Sequence, residues 1–134
     1  MAQEDIEVVR RWIAALNAAN IDALPEVVHP DIEWRDQMHA PDVPEMLHGI
    51  AALEHLASQW EDAYDSLTAE VLHYIDADPW VICDTRWRAQ GKGSGMEVEV
   101  RSADAYQVED EKVRRSWGGY PDVQTARNAL GLAE

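Results

Sequence analysis

The sequence predicts an α+β fold, helices packed on one face of a curved antiparallel sheet. Three observations carry this. The N-terminal part holds apolar residues at helical spacing around one short strand, and four alternating runs then follow from Leu67 to Tyr120 with short turns between them. One brief helical pattern closes the chain.

In the first helix, Asp5 to Ala19, Ile6, Val9, Ile13 and Leu16 form an apolar stripe that Val8, Trp12 and Ala15 widen. Asn17 to Asn20 closes it. Ile21 to His29 reads as a short second helix, with Leu24, Val27 and Val28 on one side and Pro30 as its stop. Asp31 to Arg35 alternates as a strand and leads into a loop from Asp36 to His48. Gly49 precedes a third helix with Ile50, Leu53, Leu56, Ala57 and Trp60 on its core side. The later strands are Leu67 to Asp76, Trp80 to Ala89, Glu97 to Val108 and Lys112 to Tyr120. Turn residues at 76–79, 91–95 and 109–111 separate them, and such short connections make neighbours antiparallel. Asp122 caps a last helix that ends at Gly131.

The 134 residues, 46% of them hydrophobic, are enough for one domain, 1–134, with its own core. No apolar run reaches membrane-spanning length, and MAQEDIEVVRR lacks a signal-peptide pattern, so the expectation is a soluble, cytoplasmic protein. A formal net charge of −15 argues against nucleic acid and anionic membranes as partners. The basic cluster Lys112 to Arg115 is too small to offset it. The lone Cys83 excludes an internal disulfide and reads as a buried strand thiol.

The run MEVEVRSADAYQV poses a chemical question. One strand face collects Val98, Val100, Ser102, Asp104, Tyr106 and Val108; the other collects Glu97, Glu99, Arg101, Ala103, Ala105 and Gln107. The second is mostly a wet face, so the first is the buried one, with a carboxylic acid in its middle.

The stretches RRWIAALNAANIDALPEVVHPDIEWRD, LHGIAALEHL and SADAYQVEDEKVRRSWGGYPD together resemble the nuclear-transport-factor-2-like superfamily, in particular its SnoaL-like and ketosteroid-isomerase-like branch. The resemblance implies a cone-shaped sheet wrapped around the N-terminal helices, a cystatin-like α+β barrel enclosing an apolar cavity. It implies that Asp104 faces that cavity. Asp36 falls where the isomerases have their general base, and Asp104 where they have a neutral acid beside the oxyanion. Desolvation raises the pKa of a buried carboxyl, whereas an acid at a wet loop edge stays ionised. Such a pair can abstract a proton next to a carbonyl and stabilise the enolate.

The isomerases' helix-one tyrosine is matched by Trp12, whose indole N–H is a far weaker acid than a phenol. Tyr106 faces the same way as Asp104 and offers a phenol from another position. In the limonene-epoxide-hydrolase branch an arginine stands two residues before the acid; here that residue is Ser102, and Arg101 points to the other side. The acid which that branch carries in its last strand would fall at Gly118 or Gly119. SnoaL-type cyclases place a histidine on the neighbouring strand, where this chain has none, so His39 or His73 would have to substitute.

Both acids also admit structural roles. Asp104 would then be a buried acid bonded to Ser102, Tyr106 or a helix end, and Asp36 a turn or cap residue. The candidate cavity lining is Trp12, Trp34, His39, Trp60, Trp87, Tyr106 and Trp117. On strand alternation, Val113, Arg115, Trp117 and Gly119 share a face, which would equally set Trp117 on the outer surface. The five histidines show no ligand spacing, so no metal is expected, and no phosphate loop or nucleophile motif appears. The resemblance also implies a homodimer through the sheet. The expected protein would carry out cofactor-free isomerisation or polyketide-type cyclisation of a small apolar carbonyl compound, with Asp36 and Asp104 catalytic. The alternative is a non-catalytic binding or accessory protein using the same cavity.

Overall fold

The computed structural model describes residues 2–18, 21–36 and 46–132. Helix α1 spans Ala2–Asn17, and Val8, Val9, Trp12 and Ile13 bury its apolar stripe. Its last residue works as a clamp. The Asn17 amide accepts from the Ala69 N–H at 2.7 Å and donates to the Ala69 carbonyl at 2.9 Å, reproducing a strand pairing with one side chain. A 3₁₀ turn, Ile21–Ala23, feeds the short helix α2, Leu24–Val27.

The helix expected to reach His29 stops at Val27, and strand β1, Val28–Asp36, begins at once. Pro30 lies inside this strand, not at a helix end. It is tolerated because the pairing of β1 with its neighbour is irregular between Val28 and Glu33, where a missing N–H costs no ladder bond. The loop expected from Asp36 to His48 ends in a short strand, β2, Met46–His48, antiparallel to β1. Gly49, at φ +86°, turns the chain into helix α3, Ile50–Ala63, whose Leu53 and Leu56 are buried.

Strands β3 (Tyr64–Ala77), β4 (Trp80–Gly91), β5 (Glu97–Glu109) and β6 (Lys112–Tyr120) form the meander, and α4 (Val123–Ala129) closes the chain, capped by Asp122 through Thr125 N–H at 2.7 Å. The sheet order is β2-β1-β6-β5-β4-β3, so the sheet is open, with β1 joined to β6 in parallel. No helix among the described residues is long and apolar enough to cross a membrane.

Both faces of the sheet are packed. On one, Val9, Val28, Ile32, Leu53, Val81 and Val113 form the core under α1 to α3. On the other, α4 brings Ala126 onto Trp80, Ile82, Ala103, Ala105 and Tyr120. Ala103 and Ala105 are therefore not on a wet face; their small side chains admit α4. The wet part of that face is the ladder of Glu97, Glu99 and Arg101, where Arg88–Glu99 and Arg101–Asp84 pair at 3.1 and 3.0 Å. Exposed pairs of this kind contribute little stability.

Replacing Asn17 with Ala removes both bonds to Ala69. We expect a loss of about 1–2 kcal/mol, from the net worth of two hydrogen bonds, read from urea unfolding. An unchanged midpoint would show that the clamp does not hold α1 on β3.

Candidate functional site

The site is built where β6 departs from regular pairing. Ala103 pairs with Tyr120 and Ala105 with Trp117, so two steps along β5 face three along β6. The extra residue lies in the Gly118-Gly119 pair, and Gly119 takes φ +81°, a conformation open to glycine. This turns the Gly119 N–H toward Asp104 Oδ1, at 2.9 Å. A Cβ at Gly118 would stand 2.5 Å from the same oxygen, so the carboxyl occupies the space of a missing side chain. Trp87 Nε1 donates to Asp104 Oδ2 at 3.2 Å and to Ser102 Oγ at 3.0 Å, and Ser102 Oγ lies 3.1–3.2 Å from both carboxyl oxygens.

Asp104 is 5% exposed. Burial raises its pKa above the ordinary carboxylate value, while Gly119, Trp87, Thr85 and Ser102 act in the opposite sense. Burial also pushes up the Cys83 thiol, which pairs across from Asp104, and holds the Tyr106 phenol well above its usual range.

A cleft of about 360 Å³ opens over this group. Asp36, Trp12, Trp34, Trp60, Trp87 and Tyr106 line it together with Asp104, Ser116 and Gly118. Asp36 ends β1 opposite Gly118, so the two acids stand on strands flanking a residue that contributes no side chain. Trp34 and Trp60 meet edge to face, 6.1 Å apart. Val98 and Val100 share the Asp104 face but are 47% and 36% exposed, because they form the cleft wall instead of packed core. A larger cavity, about 630 Å³, shares Trp12, Leu16, Trp60, Tyr64 and Leu67 with the first and has exposed Glu61, Asp62 and Asp65 at its edge. It offers room, but the buried acid belongs to the smaller cleft.

Trp117 does not line the cleft. It lies on the α4 face against Trp80, 5.0 Å between ring centres, with Arg35 over its ring at 5.4 Å. The alternation expected along β6 fails because a second irregularity sets Gln107 and Val108 opposite Arg115 and Val113. Val113 and Ser116 both face inward as a result, and Trp117 faces outward. His39 lies outside the described residues. His73 pairs with Asp84 on β3 and is exposed, away from both cavities.

Ser116, Gly118 and Gly119 had not been singled out for the site as formed here. The signal was present: two glycines inside a strand mark a bulge or a close approach. A separate cluster, also unforeseen, sets His29 Nε2 3.5 Å from Glu109 and 3.6 Å from Asp110. The Asp31 N–H donates to His29 Nδ1 at 3.0 Å, which in the neutral ring leaves the proton on Nε2. That tautomer offers the two acids a proton and not a metal a lone pair.

The SnoaL-like domain family matches residues 9–116. A comparison with curated protein sequences gives no match. Among solved structures, Bal32a from a soil-derived mobile gene cassette superposes with a TM-score of 0.78 at 20% identity, over 90% of this chain and 92% of its own. A hypothetical protein with a ketosteroid isomerase-like fold from Catenulispora acidiphila, solved with trimethylamine, gives 0.73 at 17%, over 94% and 93%. A protein from Jannaschia, provisionally assigned as a SnoaL-like polyketide cyclase, gives 0.73 at 16%, over 87% and 85%. At these identities the likeness establishes the fold.

Two predictions test the site's construction. Gly118→Ala should destabilise by about 1–3 kcal/mol through overpacking, and that loss should shrink in an Asp104→Ala background, where the carboxyl no longer fills the space. Equal losses in both backgrounds would show that Gly118 is not kept small for Asp104. The second concerns pH. Because burial raises the folded pKa of Asp104, the native state holds this proton where the unfolded chain has lost it. The group's stability contribution is then present below the unfolded pKa and falls as pH rises through the folded one. Melting temperatures of the wild type, minus those of Asp104→Asn, should decline with rising pH and then level. A pH-independent difference would contradict the raised pKa.

Proposed function

Since the chain belongs to the SnoaL-like domain family, we propose that its smaller cleft carries out cofactor-free proton transfer on a small apolar carbonyl compound, as an isomerase or a polyketide-cyclase-like enzyme. The observation that carries this reading is a carboxyl with a raised pKa, almost fully buried, in an aromatic-walled cleft that a second acid shares. Asp36 acts as the base and takes a proton from the carbon next to the carbonyl. Asp104 is the neutral acid beside the oxygen on which negative charge develops. The proton then returns to a different carbon in an isomerisation, or the enolate carbon attacks a second carbonyl in a cyclisation. The larger adjoining cavity accommodates the remainder of the molecule.

A second reading, a binding or accessory protein, draws support from the hydrogen bonds of Asp104. Three groups already surround its two oxygens, as they would around an acid that fastens β5 to β6 and Trp87. The two readings separate in heavy water. A panel of small apolar ketones is incubated with the protein and loss of the α-proton signal followed by NMR. The proton-transfer reading expects exchange, lowered about 10²–10⁴-fold by Asp36→Asn, the range for loss of a general base. It expects Asp104→Asn to lower exchange as well. A ketone that binds but keeps its α-protons in the wild type would support the binding reading.

A further inference from the structure

Resting on the proton-transfer reading, we propose that Trp60 is a specificity-determining residue, a partition across which an elongated, two-part apolar ketone binds. The carbonyl-bearing unit lies in the smaller cleft and a second apolar unit in the larger cavity, joined by a narrow link. Helix α3 sets this arrangement. Leu53 and Ala57 line the larger cavity and not the smaller cleft. Trp60 follows Ala57 by one helical turn and shares its face. Its ring meets that of Trp34 at 6.1 Å, and Trp34 lines the smaller cleft and not the larger cavity. Trp60 lines both. The indole thus stands between residues that each belong to one space.

Four other residues line both spaces, and none is placed as well to divide them. Trp12 is 4% exposed and packed in the core, Tyr64 is exposed, and Leu16 and Leu67 are smaller. The edge-to-face contact with Trp34 restrains the Trp60 ring. A thin link passes beside a ring held in this way, and a bulky group does not. Volume and lining then give the ligand class. At about 360 Å³ the smaller cleft is near the low end of small-molecule sites, room for one ring that bears a carbonyl. The larger cavity has about 630 Å³, and the buried side chains of Leu24 and Leu53 form part of its wall. A ligand confined to the cleft leaves that apolar wall uncovered. One that continues past Trp60 covers it and gains affinity with the area removed from water.

The test uses three aryl ketones with the same carbonyl end: acetophenone, its 4-(2-phenylethyl) derivative and its 4-(1-adamantyl) derivative. Binding of each is followed by quenching of tryptophan fluorescence. Wild-type protein should bind the phenylethyl ketone about tenfold more tightly than acetophenone, and the adamantyl ketone no better than acetophenone. Ala57→Phe, which fills the larger cavity alone, should remove the phenylethyl advantage and leave acetophenone affinity unchanged. Trp60→Ala should raise affinity for the adamantyl ketone about tenfold; Trp60→Leu serves if the alanine variant does not fold. Equal wild-type affinity for acetophenone and the phenylethyl ketone, or an advantage that survives Ala57→Phe, would overturn the two-part ligand. An unchanged order of affinities in the folded Trp60 variant would overturn the partition. Exchange of the acetophenone methyl protons in heavy water judges the proton-transfer reading separately. Exchange without a phenylethyl preference leaves that reading standing and removes this inference; the preference without exchange does the reverse. Failure of the wild type to bind any of the three ketones would overturn both.

Discussion

The bond from the Gly119 N–H to the Asp104 carboxyl is the constraint on which the site depends. It spans β5 and β6 at the point where their pairing slips by one residue. A glycine with positive φ aims the N–H, and a second glycine leaves room for the acid. If either residue carried a side chain, the carboxyl would lose its seat or its donor. The same carboxyl fastens Trp87 of β4, so one buried acid ties three consecutive strands at the floor of the cleft.

Around that point the sheet is packed unequally. The face toward α1, α2 and α3 is filled from Val28 to Val81 and left open beside Val98 and Val100. The opposite face is closed by α4 over a patch of alanines, with Trp80 and Trp117 meeting at a tilt beside it. Burying apolar area on both sides lets the middle of the sheet remain rigid while one end stays uncovered. An acid at the border of the filled and unfilled regions is desolvated by the first and reachable through the second. Folding pays for that desolvation with the surrounding core, since a carboxyl in apolar surroundings is unfavourable in its ionised form.

The membership in the SnoaL-like domain family and the shared ketosteroid isomerase-like fold establish the scaffold, not the reaction. What distinguishes this chain is the arrangement of its own donors. Where the resembled isomerases carry a tyrosine on the first helix, this chain has Trp12, and its phenol stands on β5 at Tyr106. Trp12 from α1 and Tyr106 from β5 both line the smaller cleft.

The local pattern of residues was sufficient for the helices, the four-strand meander and the inward face of Asp104 and Tyr106. Periodicity is a property of a single segment, and each of these follows from one segment. It was also sufficient to set Asp36 at the end of a strand and the tryptophans Trp12, Trp34, Trp60 and Trp87 among the candidates for the lining. The outward turn of Trp117 was not decided locally, because the irregularity in β6 arises only when two strands with different hydrogen-bonding demands are laid side by side. The burial of Ala103 and Ala105 needed α4 to fold back across the sheet, and the early end of α2 needed β6 to draw Val28 into a parallel pairing. Sequence alone thus determined the elements and their faces. Tertiary structure decided where alternation breaks and which donors meet Asp104, because those depend on pairing between segments far apart in the chain.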